Sequence, residues 1–184
     1  MIRNSTTAWG WPAIALHWAG AALIVVLLAH GWWMTHMTAR PDRLANYGLH
    51  AALGYDFLAL LVLRLLWRWL NPVPALPGQT WERYAAKAGH VGLYLLMFAS
   101  ALTGWALAGT FRTPLNHDFF GLALPTIYQS QDRAMHRLFE EAHMILSYLL
   151  AVLVVVHVVG ALRHHLVKHN DVLRRMLVGA NPGA

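Results

Sequence analysis

The chain has 184 residues, of which 58% are hydrophobic and only 12% charged, with a mean hydropathy of +0.42. A soluble domain carries about 25% charged residues, so this composition excludes an ordinary water-soluble fold and bounds the chain to one membrane domain. Cysteine is absent, which excludes disulfides, iron–sulfur clusters held by thiolates and thioether-attached cofactors. Any metal or cofactor must be held by His, Met, Asp, Glu or backbone. The 9 Trp suit an interfacial belt, whereas 12 His in so apolar a chain ask for a reason.

In chain order, residues 1–11 are mixed, with Arg3 the only charge. Pro12 opens an apolar run over 12–34, and proline suits the first turn of a helix. That run is long enough to cross a bilayer, which takes about 20 residues. It is too long for a signal-peptide core and lacks a small-residue cleavage site, so it reads as a retained span. His17 stands near its start, His30 and His36 near its end. Residues 35–47, with Arg40, Pro41, Asp42 and Arg43, read as a short loop. The second span covers 49–70, with His50 in its first turn and Arg64 and Arg68 towards its end. Asn71, Pro72, Pro74, Pro77 and Gly78 break the helix, and 81–87 reads as a short amphipathic stretch at the interface. The third span, 88–109, starts with His90 and carries the small residues Ala99, Ser100, Ala101 and Gly104. Residues 110–139 form a long polar and aromatic loop, and loops of that length are usually functional. The fourth span, 141–166, holds His143 and His157. A basic tail follows, with Arg163, His164, His165, Lys168, Arg174 and Arg175; no nucleic-acid partner is expected.

Four spans put both termini on one side. Nine of the 14 Lys and Arg residues fall on that side or on the helix ends beside it, against five on the other. The positive-inside rule therefore places both termini in the cytoplasm. That orientation sorts the histidines by depth. His50 and His143 share the outer level, His17 and His157 the inner one, and each pair joins two different helices. His143 and His157 are two heptads apart, so they lie within about 40° of one helix face and roughly 21 Å apart along the axis.

A planar macrocycle slipped between helices needs one imidazole on each side of its metal. The two pairs predict two stacked b-type haems and an electron path across the membrane. Gly20, Gly54 and Gly160, each within a turn of one of these histidines, would leave room for a porphyrin edge, though they serve equally as helix-packing positions. A single intramembrane histidine is often a hydrogen-bonded packing group; four at two matching depths argue for function. Binding of a free metal ion by a transporter is the rival. Transport sites usually add carboxylates or Met, and only Asp56 lies within a span, six residues from His50. His30, His36, His117, His136, His165 and His169 are assigned to the interface or solvent.

Several phrases carry a resemblance: Ala15-Leu16-His17-Trp18, Leu49-His50, Gly89-His90-Val91-Gly92-Leu93-Tyr94-Leu95-Leu96, Glu141-Ala142-His143, and His157 followed by His164-His165. With Arg40-Pro41-Asp42-Arg43 and Gly121-Leu122-Ala123-Leu124-Pro125, they make the chain resemble the bacterial cytochrome b561 family over nearly its whole length. Within that family it is most similar to the small stand-alone members of the superoxide oxidase type. The resemblance implies an all-α, integral membrane four-helix bundle of the bacterial inner membrane. It implies two haem b groups with His17, His50, His143 and His157 as axial ligands, and a ubiquinone site at the cytoplasmic end, at the positions of His90 and His164. His164 lies seven residues beyond His157, nearly on the same helix face, and two imidazoles there suit quinone carbonyls and proton delivery. On the outer side, Arg40, Arg43 and Arg112 suit haem propionates or the attraction of superoxide. Trp105, Phe111, Phe119 and Phe120 suit a cover over the outer haem or a docking face. The expected activity is oxidation of superoxide to oxygen with transfer of the electron to ubiquinone. The alternative is a relay between quinone and a periplasmic, dehydrogenase or hydrogenase partner protein.

Overall fold

The structure is a computed structural model; it describes residues 1–36, 40–112, 115, 118–119 and 122–179. Four helices in it are long and apolar enough to cross a membrane: α1 (Trp11–His36), α2 (Arg40–Leu70), α3 (Thr80–Ala108) and α4 (Arg133–Leu166). A two-residue antiparallel ladder, β1 (Asp118–Phe119) with β2 (Leu122–Ala123), lies between α3 and α4, and a short α5 (Val172–Leu177) follows α4. The other described residues are helix, turn or irregular connection, and the chain is a multi-pass membrane protein by its spans. Large apolar side chains such as Val152, Val155, Val156 and Val159 are exposed along α4, an arrangement stable only where lipid replaces water.

Three helices start earlier than the sequence reading places them. Residues 40–48 are helical rather than loop. Pro41 and Asp42 are first-turn residues, proline for its fixed φ and aspartate for the positive end of the helix dipole. The stretch 81–87 is not a separate interfacial piece but the opening of α3. There Glu82 Oε2 accepts the Gln79 backbone N–H at 3.1 Å, the reach-back half of a capping box. At α4, Asp132 Oδ1 accepts the Ala134 N–H at 2.8 Å, a side-chain N-cap that starts the helix at Arg133. The loop expected over 110–139 is shorter by that much. The end of α2 behaves as read: Asn71 Nδ2 donates to the Trp67 carbonyl at 3.0 Å, and Pro72 prevents continuation.

The chain forms two compact units. One contains Met1–Gly20, Leu60–Tyr94 and Val152–Ala184, the other Ala21–Ala59 and Leu95–Ala151. Each of α1 to α4 contributes a segment to both. In the first unit the N-terminal segment is tied in by buried Asn4, whose Nδ2 donates to the Pro72 carbonyl at 3.1 Å while its Oδ1 accepts the Gly10 N–H at 2.9 Å. The Ala75 N–H donates to the Thr6 carbonyl at 3.1 Å, and Trp18 Nε1 donates to the Met176 carbonyl at 2.6 Å. The second unit packs around Ile24, Tyr55, Phe57, Met97 and Leu150, all buried.

Candidate functional site

In the first unit, α1 and α4 bring His17 and His157 together, with ring centres 6.3 Å apart and planes at 72°. His90 of α3 approaches the same His157 ring at 5.6 Å. The Nδ1 of His17 is buried without a hydrogen-bond partner. A buried polar atom left so is costly unless something else satisfies it. Arg64 of α2 lies over the Tyr94 ring, 5.6 Å from its centre, and its charge reaches His17, His90 and His157.

Beside these rings is a cavity of about 240 Å³, lined by His90, His157, Gly160 and His164 together with Glu82 and Arg163. His164 and His90 thus line one space. Asn170 Nδ2 donates to His164 Nδ1 at 2.8 Å, which leaves the proton on Nε2 and makes that nitrogen a donor. Glu82, which the sequence reading passed over, is buried here. Its Oε1 meets Arg163 at 3.1 Å and Lys168 at 2.9 Å, so one carboxylate caps α3 and grips the end of α4.

In the second unit, α2 and α4 bring His50 and His143 together, with ring centres 6.1 Å apart and planes at 84°. His143 Nδ1 donates to the Ser100 carbonyl at 2.9 Å. That bond selects the tautomer in which Nε2 keeps its lone pair, the usual orientation of a metal-binding histidine. The Nδ1 of His50 is buried and unpartnered. His30, assigned to the interface by the sequence reading, instead stacks on His50 at 5.8 Å and 18°. Its Nε2 meets Asn46 Oδ1 at 3.2 Å. Around the cluster, Thr110 Oγ1 and His136 Nδ1 lie 2.7 Å apart, and Phe111 packs edge-on against His136 and beside Tyr47. Trp105 Nε1 donates to the Pro125 carbonyl at 3.1 Å.

The glycines divide into two kinds. A Cβ on Gly104 would sit 2.9 Å from His143 Cε1, and one on Gly31 would sit 3.3 Å from His50 Cε1; both are glycine so that an imidazole can approach the helix. Gly31 was not singled out by the sequence reading, and Gly104 only as a small residue. At Gly20, Gly54 and Gly160 a Cβ would meet nothing within 4 Å, so no protein contact demands glycine there and space lies open beside each. The outer arginines do not form a described cluster. Arg43 lies on α2, half-buried and engaged; Arg112 is exposed just beyond α3. The side chain of Arg40 lies outside the described residues, as do His117, Phe120 and the side chain of Phe119.

Two imidazoles that bond one metal from opposite sides at about 2 Å each place their ring centres roughly 6 Å apart, which both pairs satisfy. Among the described residues no group of three or more His, Cys, Asp or Glu side chains forms a metal-ion site. Each pair would offer two nitrogen donors to one metal, and the space open beside Gly20, Gly54 and Gly160 would leave room for a planar macrocycle. The chain's likeness to known proteins agrees with that chemistry. The family described as prokaryotic cytochrome b561 matches residues 8–179. "Cytochrome b561 homolog 2" of Escherichia coli (strain K12) is 31% identical over 185 positions, covering 96% of this chain and 94% of that protein.

Proposed function

Since the chain belongs to the prokaryotic cytochrome b561 family, and so is a membrane electron-transfer protein taking haem b, we propose that it is a diheme superoxide:ubiquinone oxidoreductase. His17 and His157 hold one haem and His50 and His143 the other. The protein lies in the bacterial inner membrane with both termini cytoplasmic, as the excess of Lys and Arg on that side favours. In the net reaction two superoxide ions become two O2, while ubiquinone takes up the two electrons and two protons to become the quinol. Bound haem supplies the one-electron redox chemistry of both halves.

The chain's own residues bind, orient and move protons. His143 is held in its metal-binding tautomer by the Ser100 carbonyl. His90 and His164 face one cavity, where two imidazoles hydrogen-bond the quinone carbonyls and pass protons to them. Arg43 and Arg112, with Arg40 three residues before Arg43, supply positive charge that draws an anion to the outer surface. The observation that carries the reading is the pair of imidazole couples of nearly equal separation, 6.3 and 6.1 Å, with a cavity beside one of them.

The test begins with the absorption spectrum and the haem-to-protein ratio. Reduced b-type bands and two haems per chain are expected; one haem breaks the pairing. Reconstituted protein mixed with superoxide and a ubiquinone analogue should then show haem reduction faster than spontaneous dismutation. Absence of that reduction removes superoxide as donor and leaves the relay reading, in which a partner protein supplies the electrons. His164→Ala should slow quinone reduction with haem content intact; unchanged transfer moves the quinone elsewhere.

A further inference from the structure

Arg64 is a charged residue that neither the haem pairs nor the cavity account for. It lies well inside α2, nearly two turns before the helix ends at Leu70, in a stretch over 58–70 that apart from Arg68 is Leu, Val, Ala and Trp. A guanidinium there is costly in lipid and is kept only where it does something. The described ion pairs are those of Glu82 with Arg163 and Lys168, and Arg64 has no carboxylate beside it among the described residues. Instead its guanidinium carbon lies over Tyr94, 5.6 Å from the ring centre, a cation–π contact that holds the charge without neutralising it. Tyr94 is four residues after His90, so both stand on one face of α3, and His90 touches His157. The contact therefore parks a permanent positive charge beside the His17–His157 couple.

We propose that Arg64 raises the reduction potential of the haem held by His17 and His157, making that haem the electron-accepting member of the two. This rests on the diheme reading above. A ferric haem loses one positive charge when it gains an electron, so a fixed cation nearby disfavours the oxidised form and favours the reduced one. Arginine suits the task because it stays protonated at any working pH. A unit charge roughly 10 Å from a redox centre, at an effective dielectric constant near 20, shifts a one-electron equilibrium about tenfold, which is about 59 mV. At the counterpart couple, His50 with His143, the described contacts are with the Ser100 carbonyl and the His30 ring.

The experiment is redox potentiometry of the purified holoprotein, followed at the haem bands. Arg64→Gln should lower one of the two midpoint potentials by about 59 mV, a tenfold change in equilibrium, and leave the other in place. Arg64→Lys, which keeps the charge, should restore most of the shift, and Tyr94→Leu, which removes the ring that holds the guanidinium, should lower the same potential by less. Two unmoved potentials in Arg64→Gln, with both haems present, overturn the proposal. So does an equal fall in Arg64→Gln and Arg64→Lys, which would mark a packing effect rather than charge. Loss of the diheme reading registers separately, as a wild-type spectrum or haem ratio without two b-type haems.

Discussion

Both units contain a couple of imidazoles and a third ring against it, yet their surroundings differ in kind. In the second unit the rings are held by fixed, neutral parts: a backbone carbonyl on His143, glycine at Gly31 and Gly104, and Asn46 on His30. In the first unit the neighbours are charges and space: Arg64, the Glu82 carboxylate with its two cations, and a cavity reaching His157. The same donor pair can thus be set in a rigid frame or beside a place where a small molecule comes and goes. A rigid frame suits electron transfer with little rearrangement, whereas a cavity bordered by His90 and His164 suits a ligand that must bind, take up protons and leave.

The largest expected effect tests whether the couples are separate sites. His157→Ala should remove about half of the bound haem and His143→Ala the other half, measured as haem per chain after purification; total loss in either would mean one shared site. Next in size is Gly104→Ala, whose Cβ would press on His143 at 2.9 Å. It should weaken haem retention in the second unit about tenfold, the low end of effects from groups that orient a metal ligand, with Gly31→Ala milder because its contact is 3.3 Å. Equal retention in wild type and Gly104→Ala would show that the frame is softer than its geometry suggests. A smaller and more discriminating effect is expected at Gly160, where an added Cβ would meet no protein atom within 4 Å. Gly160→Ala should leave the melting temperature of haem-free protein unchanged while lowering haem content. Unaltered haem content would mean that no macrocycle edge uses that space. The smallest effect is for Ser147→Ala, which deletes the hydroxyl contact to Ser100 at 2.9 Å; a loss of about 0.6 kcal/mol, typical of such bonds between membrane helices, should appear as a slightly lower melting temperature with haem content intact.

The four spans were legible because hydropathy and length are local properties, and the matching depths of His17, His50, His143 and His157 follow from span order alone. Helix starts were harder. Arg40-Pro41-Asp42-Arg43 looks like a breaker to a reading that weighs charge and proline, but at the head of a helix the same residues are an initiation signal. The Gln79–Glu82 and Asp132–Ala134 caps were readable in principle and were masked by the polar character of their surroundings. His30 could not be separated from the interfacial histidines, since stacking on His50 depends on how α1 and α2 are rotated. Glu82 was passed over because its partners, Arg163 and Lys168, lie far along the chain. The rotation that puts Gly31 and Gly104 against histidine rings is likewise a tertiary fact, invisible to periodicity.

The Ser100 carbonyl on His143 has a bearing on biosynthesis. That bond is made entirely by the polypeptide, within α3 and α4, so one nitrogen of His143 is bare as soon as those helices meet. His17 and His50 have no such partner on their buried Nδ1 atoms, so no described protein contact at that atom fixes their tautomer. On the diheme reading proposed above, maturation of the second unit would begin from an asymmetric receptor, with one ring already poised for the incoming cofactor and its opposite settling afterwards.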